Sequence, residues 1–217
     1  MIPIVVMASG RGSNFDAIQQ AIVQGRLKAE ILGVISDQRG AGVLARAEEF
    51  GIPTWVVPFP DRSEAENILD RRLRHESRLL EVIGPLQPRF IVMAGYMRII
   101  TSSLIDAFRC DKGYSRMVNI HPSLLPAFPG LHGYGQAFRY GAQVAGVTVH
   151  LVEAGVDSGP ICAQEVFSIV DCRSEQEVEK RGLAIEHRLY PETLKWILSE
   201  NFQLIPRSEG RFCVCPN

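Results

Sequence analysis

Three side chains that could share one reaction lie between residues 118 and 160: the carboxamide of Asn119, the imidazole of His121 and the carboxylate of Asp157. Each sits in glycine- and proline-rich sequence, NIHPSLLPAFPG (119–130) or EAGVDSGP (153–160), rather than in a regular apolar pattern. A carboxylate beside an imidazole favours the protonated ring, which then serves as a proton donor. A carboxamide N–H nearby can stabilise a developing oxyanion. No Ser or Cys occupies a nucleophile elbow, so direct transfer between two bound substrates fits better than a covalent intermediate. Plainer roles stand beside these: His121 packed in a proline-rich turn, and Asp157 between glycines as a turn former.

These residues need a scaffold, and the chain supplies one in order. Residues 2–8 (IPIVVMA), 30–36 (EILGVIS), 54–57 (TWVV), 90–94 (FIVMA) and 116–120 (RMVNI) are short, β-rich apolar runs. Between them the spacing predicts helices over 15–23 and 42–50 and a long polar helix over 63–83. Strands this apolar are buried on both faces, and helical crossovers are what parallel pairing requires. The expectation is an α/β fold: an open, mostly parallel, Rossmann-like sheet with helices on both faces. Residues 144–152 and 161–169 read as strands with no helix between them, so the far edge of the sheet is expected to be antiparallel or mixed. A final helix over 174–199 precedes a tail with room for one edge strand. No repeat or linker divides the 217 residues, which read as a single domain with two halves, 1–118 and 119–217.

In such a sheet, ligands collect at the carboxyl ends of the strands. Asn119 and His121 end the fifth strand, and the loop SGRGSN (9–14) ends the first, so both fall on one rim. The two glycines permit a tight turn, Ser13 or Asn14 can cap the helix, and its free N–H groups favour an anion, most simply a phosphate. A dinucleotide fingerprint would need glycine in place of Phe15, although Asp37 mimics its ribose-binding acid; a Walker A lysine is absent.

Composition narrows the class. The chain is 46% apolar and 22% charged with a formal net charge of −1, which argues against nucleic-acid or membrane partners. No apolar run suits a membrane span, and the start lacks a signal peptide's basic region, so a cytoplasmic location is expected. Five cysteines without framework spacing suit a reducing compartment. The lone C-x-C of Cys213 and Cys215 falls short of a zinc ligand set, and no metal is expected.

The segments SGRGSN, AGYMRII (94–100), NIHPSLLPAFPGLH (119–132), GVTVHLVEAGVDSGPI (146–161) and EHRLYP (186–191) resemble the glycinamide ribonucleotide transformylase family, and they recur in order along nearly the whole chain. HPSLLP alone points only to the wider formyltransferase superfamily. The resemblance implies transfer of a formyl group from 10-formyltetrahydrofolate, as co-substrate, to the amine of glycinamide ribonucleotide in purine synthesis, by a monomer or homodimer. It makes Asn119, His121 and Asp157 the catalytic trio. Gly12, Ser13, Asn14 and Glu186 would bind the ribonucleotide, with the phosphate on the first three. Arg62, Met97, Arg98, Ile99, Ile100, Asn119 and Val156 would bind the folate.

Without the resemblance, Met97, Ile99 and Ile100 read as core residues, Glu186 and His187 as a solvated helix face, His132 and His150 as structural and His75 as exposed. The chain also departs from the family pattern. Arg62-Ser63-Glu64 replaces the usual Ser-Arg-Glu, Ala127 stands where many relatives have a basic residue, and the segment 75–84 is longer than usual. The alternatives are a formyltetrahydrofolate deformylase, a sugar-nucleotide formyltransferase and a non-catalytic nucleotide-binding module. Deformylases generally carry an extra amino-terminal domain, whereas the first strand here begins at residue 2. A non-catalytic module would leave the trio scattered.

Overall fold

The structure, a computed structural model, describes residues 1–61, 67–207 and 212–217. Arg62 and the first residues of the expected long helix lie outside the described residues. Among the described residues, nine strands form one sheet in the order β3-β2-β1-β4-β5-β6-β7-β9-β8. These are β1 (Ile2–Met7), β2 (Ala29–Ser36), β3 (Thr54–Val56), β4 (Phe90–Met93), β5 (Met117–His121), β6 (Val144–Leu151), β7 (Ile161–Ser168), β8 (Phe202–Pro206) and β9 (Phe212–Pro216). The first five run parallel; β6 and β7 continue the sheet antiparallel. This is the expected α/β architecture with its mixed far edge.

Alternation along β1 shows why helices cover both faces. Ile4 and Val6 pack with Phe15 and Ile18 of α1 (Ser13–Val23), Val43 of α2 (Gly42–Glu49) and Leu194 and Ile197 of α6 (Glu175–Leu198). Val5 and Met7 point the other way, to Leu79 and Ile83 of α3 (Ile68–Ile83) and Leu104 and Ile105 of α4 (Ser102–Ala107). The chain winds outward from β1 to β3 and then returns to β4 on the opposite side of β1. The order therefore reverses between β1 and β4, the place where an open sheet leaves a crevice at its carboxyl edge.

Three local features differ from expectation. Two short helices, α4 and α5 (Gly133–Tyr140), were not anticipated: α4 has only six residues, too few to show a period, and α5 begins GYG, a turn-like sequence. The tail forms two strands rather than one; β8 and β9 pair as a hairpin, and β9 docks beside β7. His75 is buried rather than exposed, at 1%, because it shares the inward stripe of α3 with Leu79 and Ile83 at i+4 and i+8. Its Nε2 lies 2.6 Å from Tyr96 Oη, and neighbouring Glu76 accepts hydrogen bonds from the Thr101 N–H and hydroxyl, both at 2.6 Å. The longer helix thus clamps the loop after β4.

Candidate active site

At the carboxyl end of β5 a buried apolar row turns polar. Met117, Asn119 and His121 are two residues apart and share a face. In the antiparallel partner β6, Asn119 lies opposite His150 and His121 opposite Thr148. The pleat therefore gathers a carboxamide, two imidazoles and a hydroxyl on one patch. Thr148 ties that patch to the HPSLLP loop: its Oγ1 donates to the Ser123 carbonyl at 2.7 Å and accepts from the Leu125 N–H at 3.1 Å. Tyr190 of α6 holds the strands beneath, its hydroxyl lying 2.8 Å from the Met93 carbonyl and 3.1 Å from that of Val118.

Asp157 reaches this patch from the loop between β6 and β7. Gly159 allows the approach, because a Cβ there would lie 1.9 Å from the Leu151 carbonyl oxygen. Asp157 itself adopts φ +48°, a conformation that Asp tolerates better than most residues. Its Oδ2 accepts the Gly130 N–H at 2.7 Å and stands 3.3 Å from His121 Nδ1. The two glycine-rich segments are stitched together at this carboxylate.

Both nitrogens of the His121 ring face acceptors. Nε2–H donates to the Phe128 carbonyl at 3.0 Å, while Nδ1 faces the carboxylate. This pattern suits a ring carrying both protons. At 3.3 Å the contact with Asp157 is a charge contact with a long, weak hydrogen-bond geometry, which leaves the Nδ1–H available to a second acceptor.

His150 takes the opposite form. Burial lowers its pKa below the usual imidazole value, against the Leu151 carbonyl and Asp157, which work to raise it. Nδ1–H donates to the Leu151 carbonyl at 2.8 Å, so the neutral ring turns a lone pair on Nε2 toward Asn119 Nδ2, 3.2 Å away. The carboxamide is thereby oriented, with its second N–H free to serve a ligand. Sequence reading assigned His150 a structural place; its role depends on strand register, which no local motif reveals.

The patch floors a cleft of about 260 Å³. Tyr96, Met97, Arg98, Ile99 and Ile100 form one wall, with Leu131, Val152, Val156 and Ser158 among the other lining residues. Met97 and Val156 are 58% and 48% exposed. Exposed apolar side chains flanking a few convergent polar groups are what a flat, largely apolar ligand requires. Arg98 turns back from the cleft to Asp37, its Nε 2.6 Å from Oδ2. Burial would raise the Asp37 carboxyl, but hydrogen bonds from Ser9, Gln38 and Arg98 hold it below its usual value. Asp37 thus braces the β1–β4 crevice.

The loop after β1 carries Gly12 at φ +88° as the N-cap of α1, with no side-chain cap. Neither Ser13 nor Asn14 caps the helix as the sequence suggested. A Cβ at Gly12 would lie 2.8 Å from Val43 Cα, so the turn accepts only glycine without displacement. The first N–H groups of α1 have no intrahelical acceptor and open to the rim. Asn14 is buried; its Nδ2 donates to Glu186 Oε2 at 2.6 Å, and among the described residues its Oδ1 has no partner. Glu186, buried at 5%, is no solvated face: its Oε1 also accepts the Tyr134 hydroxyl at 2.5 Å. Burial and the Glu186 carboxylate together push the Tyr134 phenol's pKa well up.

Among the described residues, no three His, Cys, Asp or Glu side chains converge as a metal ligand group, and no helix is long and apolar enough to cross a membrane. Asn119, His121 and Asp157 come together, as a non-catalytic module would not require. Residues 2–194 match the family described as formyl transferase. A phosphoribosylglycinamide formyltransferase of Bacillus subtilis (strain 168) is 39% identical over 201 residues, covering 93% of this chain and 97% of the relative. The enzyme of the same name from Escherichia coli (strain K12) is 34% identical over 193 residues, covering 89% and 85%. The crystal structure of glycinamide ribonucleotide transformylase 1 from Symbiobacterium toebii superposes with a TM-score of 0.84 at 34% identity, covering 99% of this chain and 94% of that one.

Proposed function

The chain belongs to the formyl transferase family, and from that premise we propose that it is a phosphoribosylglycinamide formyltransferase that moves a formyl group from 10-formyltetrahydrofolate to the amine of glycinamide ribonucleotide. The observation that carries this reading is the convergence of Asn119, His121 and Asp157 at the floor of an apolar cleft on the carboxyl rim of the sheet. In this reading the pteridine lies between the wall of Met97, Arg98, Ile99 and Ile100 and the loop of Val156. The ribonucleotide phosphate meets the N–H groups of Gly12, Ser13 and Asn14, and Glu186 contacts the ribonucleotide away from the phosphate, so that the half spanning 1–118 grips the phosphate and the half spanning 119–217 supplies the catalytic groups.

The reaction joins the amine nitrogen to the formyl carbon and breaks the bond from that carbon to folate N10. As the tetrahedral intermediate forms, negative charge develops on the formyl oxygen. The free N–H of Asn119 and the Nδ1–H of His121 stabilise it, and His150 keeps the carboxamide turned toward it. The attacking amine must lose a proton and the departing N10 must gain one. Asp157, acceptor-rich and next to His121, supports that transfer through the ring or a water. Products are the formylated amide and tetrahydrofolate, with no net change in redox state.

A purified-protein assay tests the reading. Tetrahydrofolate and the formylated ribonucleotide should appear in equal amounts, and His121→Ala should slow kcat by about 100-fold or more. No turnover by the unmodified protein, or full activity in the variant, contradicts it.

A further inference from the structure

Asp37 directly follows β2, where a dinucleotide fold places its ribose-binding acid. Here its side chain is fully buried and both oxygens are taken up within the protein. Oδ1 accepts the Ser9 hydroxyl at 2.5 Å, and Oδ2 accepts Arg98 Nε at 2.6 Å and Gln38 Nε2 at 2.8 Å. The carboxylate therefore offers nothing to a ribose. It joins two loops instead.

One is the loop after β1, which Ser9 opens and which is tied to the cleft wall at several points. The Ser9 N–H donates to the Gly95 carbonyl at 3.0 Å. The Ser9 hydroxyl accepts the Met97 N–H at 2.9 Å and gives its single proton to Asp37. The other loop is the cleft wall itself. Arg98 is held between Asp37 and the Phe59 ring, whose centroid lies 4.7 Å from the guanidinium carbon. Phe59 meets the His75 ring at 5.3 Å between centroids, and His75 bonds back to Tyr96 in the same wall. Three donors converge on one carboxylate. A carboxamide could not accept all three, because its NH₂ group would face either Ser9 or the Arg98 and Gln38 side.

We propose that Asp37 is a positioning residue for formyl transfer: through Ser9 and Arg98 it fixes the loop after β1 against the cleft wall, and with it the distance between the incoming amine and the formyl carbon. The inference rests on reading these two loops as the ribonucleotide and folate sites. Asp37 itself touches neither substrate. Each substrate is gripped by groups on its own side of the joint, so loosening the joint leaves both affinities nearly unchanged while the reacting atoms lose their alignment. A misplacement of about 1 Å is enough to slow a reaction about 100-fold.

Steady-state kinetics on Asp37→Asn, Ser9→Ala and the double variant test this, with thermal melting alongside. Asp37→Asn should lower kcat about 10- to 100-fold while KM for each substrate stays within about threefold. A residue that served stability alone would lower the melting temperature and leave kcat of the folded enzyme where it was. Ser9→Ala opens the same joint from its other end and stands even if Asp37→Asn folds poorly; it too should lower kcat with little change in KM. The double variant should be within about twofold of Asp37→Asn, because the two side chains act as one unit. An unchanged kcat in either folded variant, effects that multiply in the double variant, or a rise in KM with kcat preserved overturns the joint while leaving the activity in place. Absence of turnover by the unmodified protein overturns the reading of the two sites and this inference with it.

Discussion

Replacing Asp157 with Asn removes one charge and little else. The carboxamide keeps an oxygen for the Gly130 N–H, and Asn tolerates the φ of +48° at this position as well as Asp does. What disappears is the anion 3.3 Å from His121 Nδ1. Both side chains are largely sequestered, 5% and 14% exposed, and losing a positioned acid–base partner lowers kcat by about 100-fold or more. Steady-state kinetics on Asp157→Asn, with thermal melting as a control for the fold, should show that fall in kcat with a melting temperature within a few degrees of the unmodified protein. A kcat within threefold of the original, with the fold intact, refutes the assignment of Asp157 as the residue that sustains His121.

Tyr134→Phe deletes the hydroxyl that donates to buried Glu186 and should cost about 1.5–3 kcal/mol, or roughly 3–10 °C in melting temperature; an unchanged melting curve would show that Glu186 does not depend on Tyr134. The buried histidines set a pH dependence. Both His75 and His150 have pKa values lowered chiefly by burial, so below the unfolded value of about 6.5 the unfolded chain binds protons that the folded one refuses. Stability should therefore be greatest above that pH and decline as pH drops toward the folded values. Denaturant melts between about pH 7.5 and 5.5 should show the decline, and a flat or opposite trend contradicts the burial of neutral rings.

Much of this was legible because burial on both faces imposes long apolar runs. The strands from β1 to β7 announce themselves, and the two-residue spacing of Asn119 and His121 places both on one face at a strand end. Other parts depend on pairings that sequence does not display. His150 sits in VTVHLV like any strand residue, and only antiparallel register sets it opposite Asn119. Tyr134 opens a glycine-rich stretch that reads as a loop. It becomes a helix start because Gly182 leaves space for its ring, where a Cβ would lie 2.1 Å from Tyr134 Cζ. The meeting of Asp157 with His121 was a conjecture in sequence, since it depends on how closely Gly159 lets its loop approach β6. His75 was misplaced because its charged neighbours hid an inward stripe shared with Leu79 and Ile83.

The fate of the formyl carbon tests the central claim most directly. With 10-formyltetrahydrofolate labelled with ¹³C in the formyl group, and glycinamide ribonucleotide present, the label should pass entirely into the amide of the ribonucleotide. When the amine is omitted, no labelled formate should appear above the uncatalysed rate. Release of labelled formate without the amine, or a ribonucleotide that remains unlabelled while folate is consumed, would contradict direct transfer at the Asn119, His121 and Asp157 site.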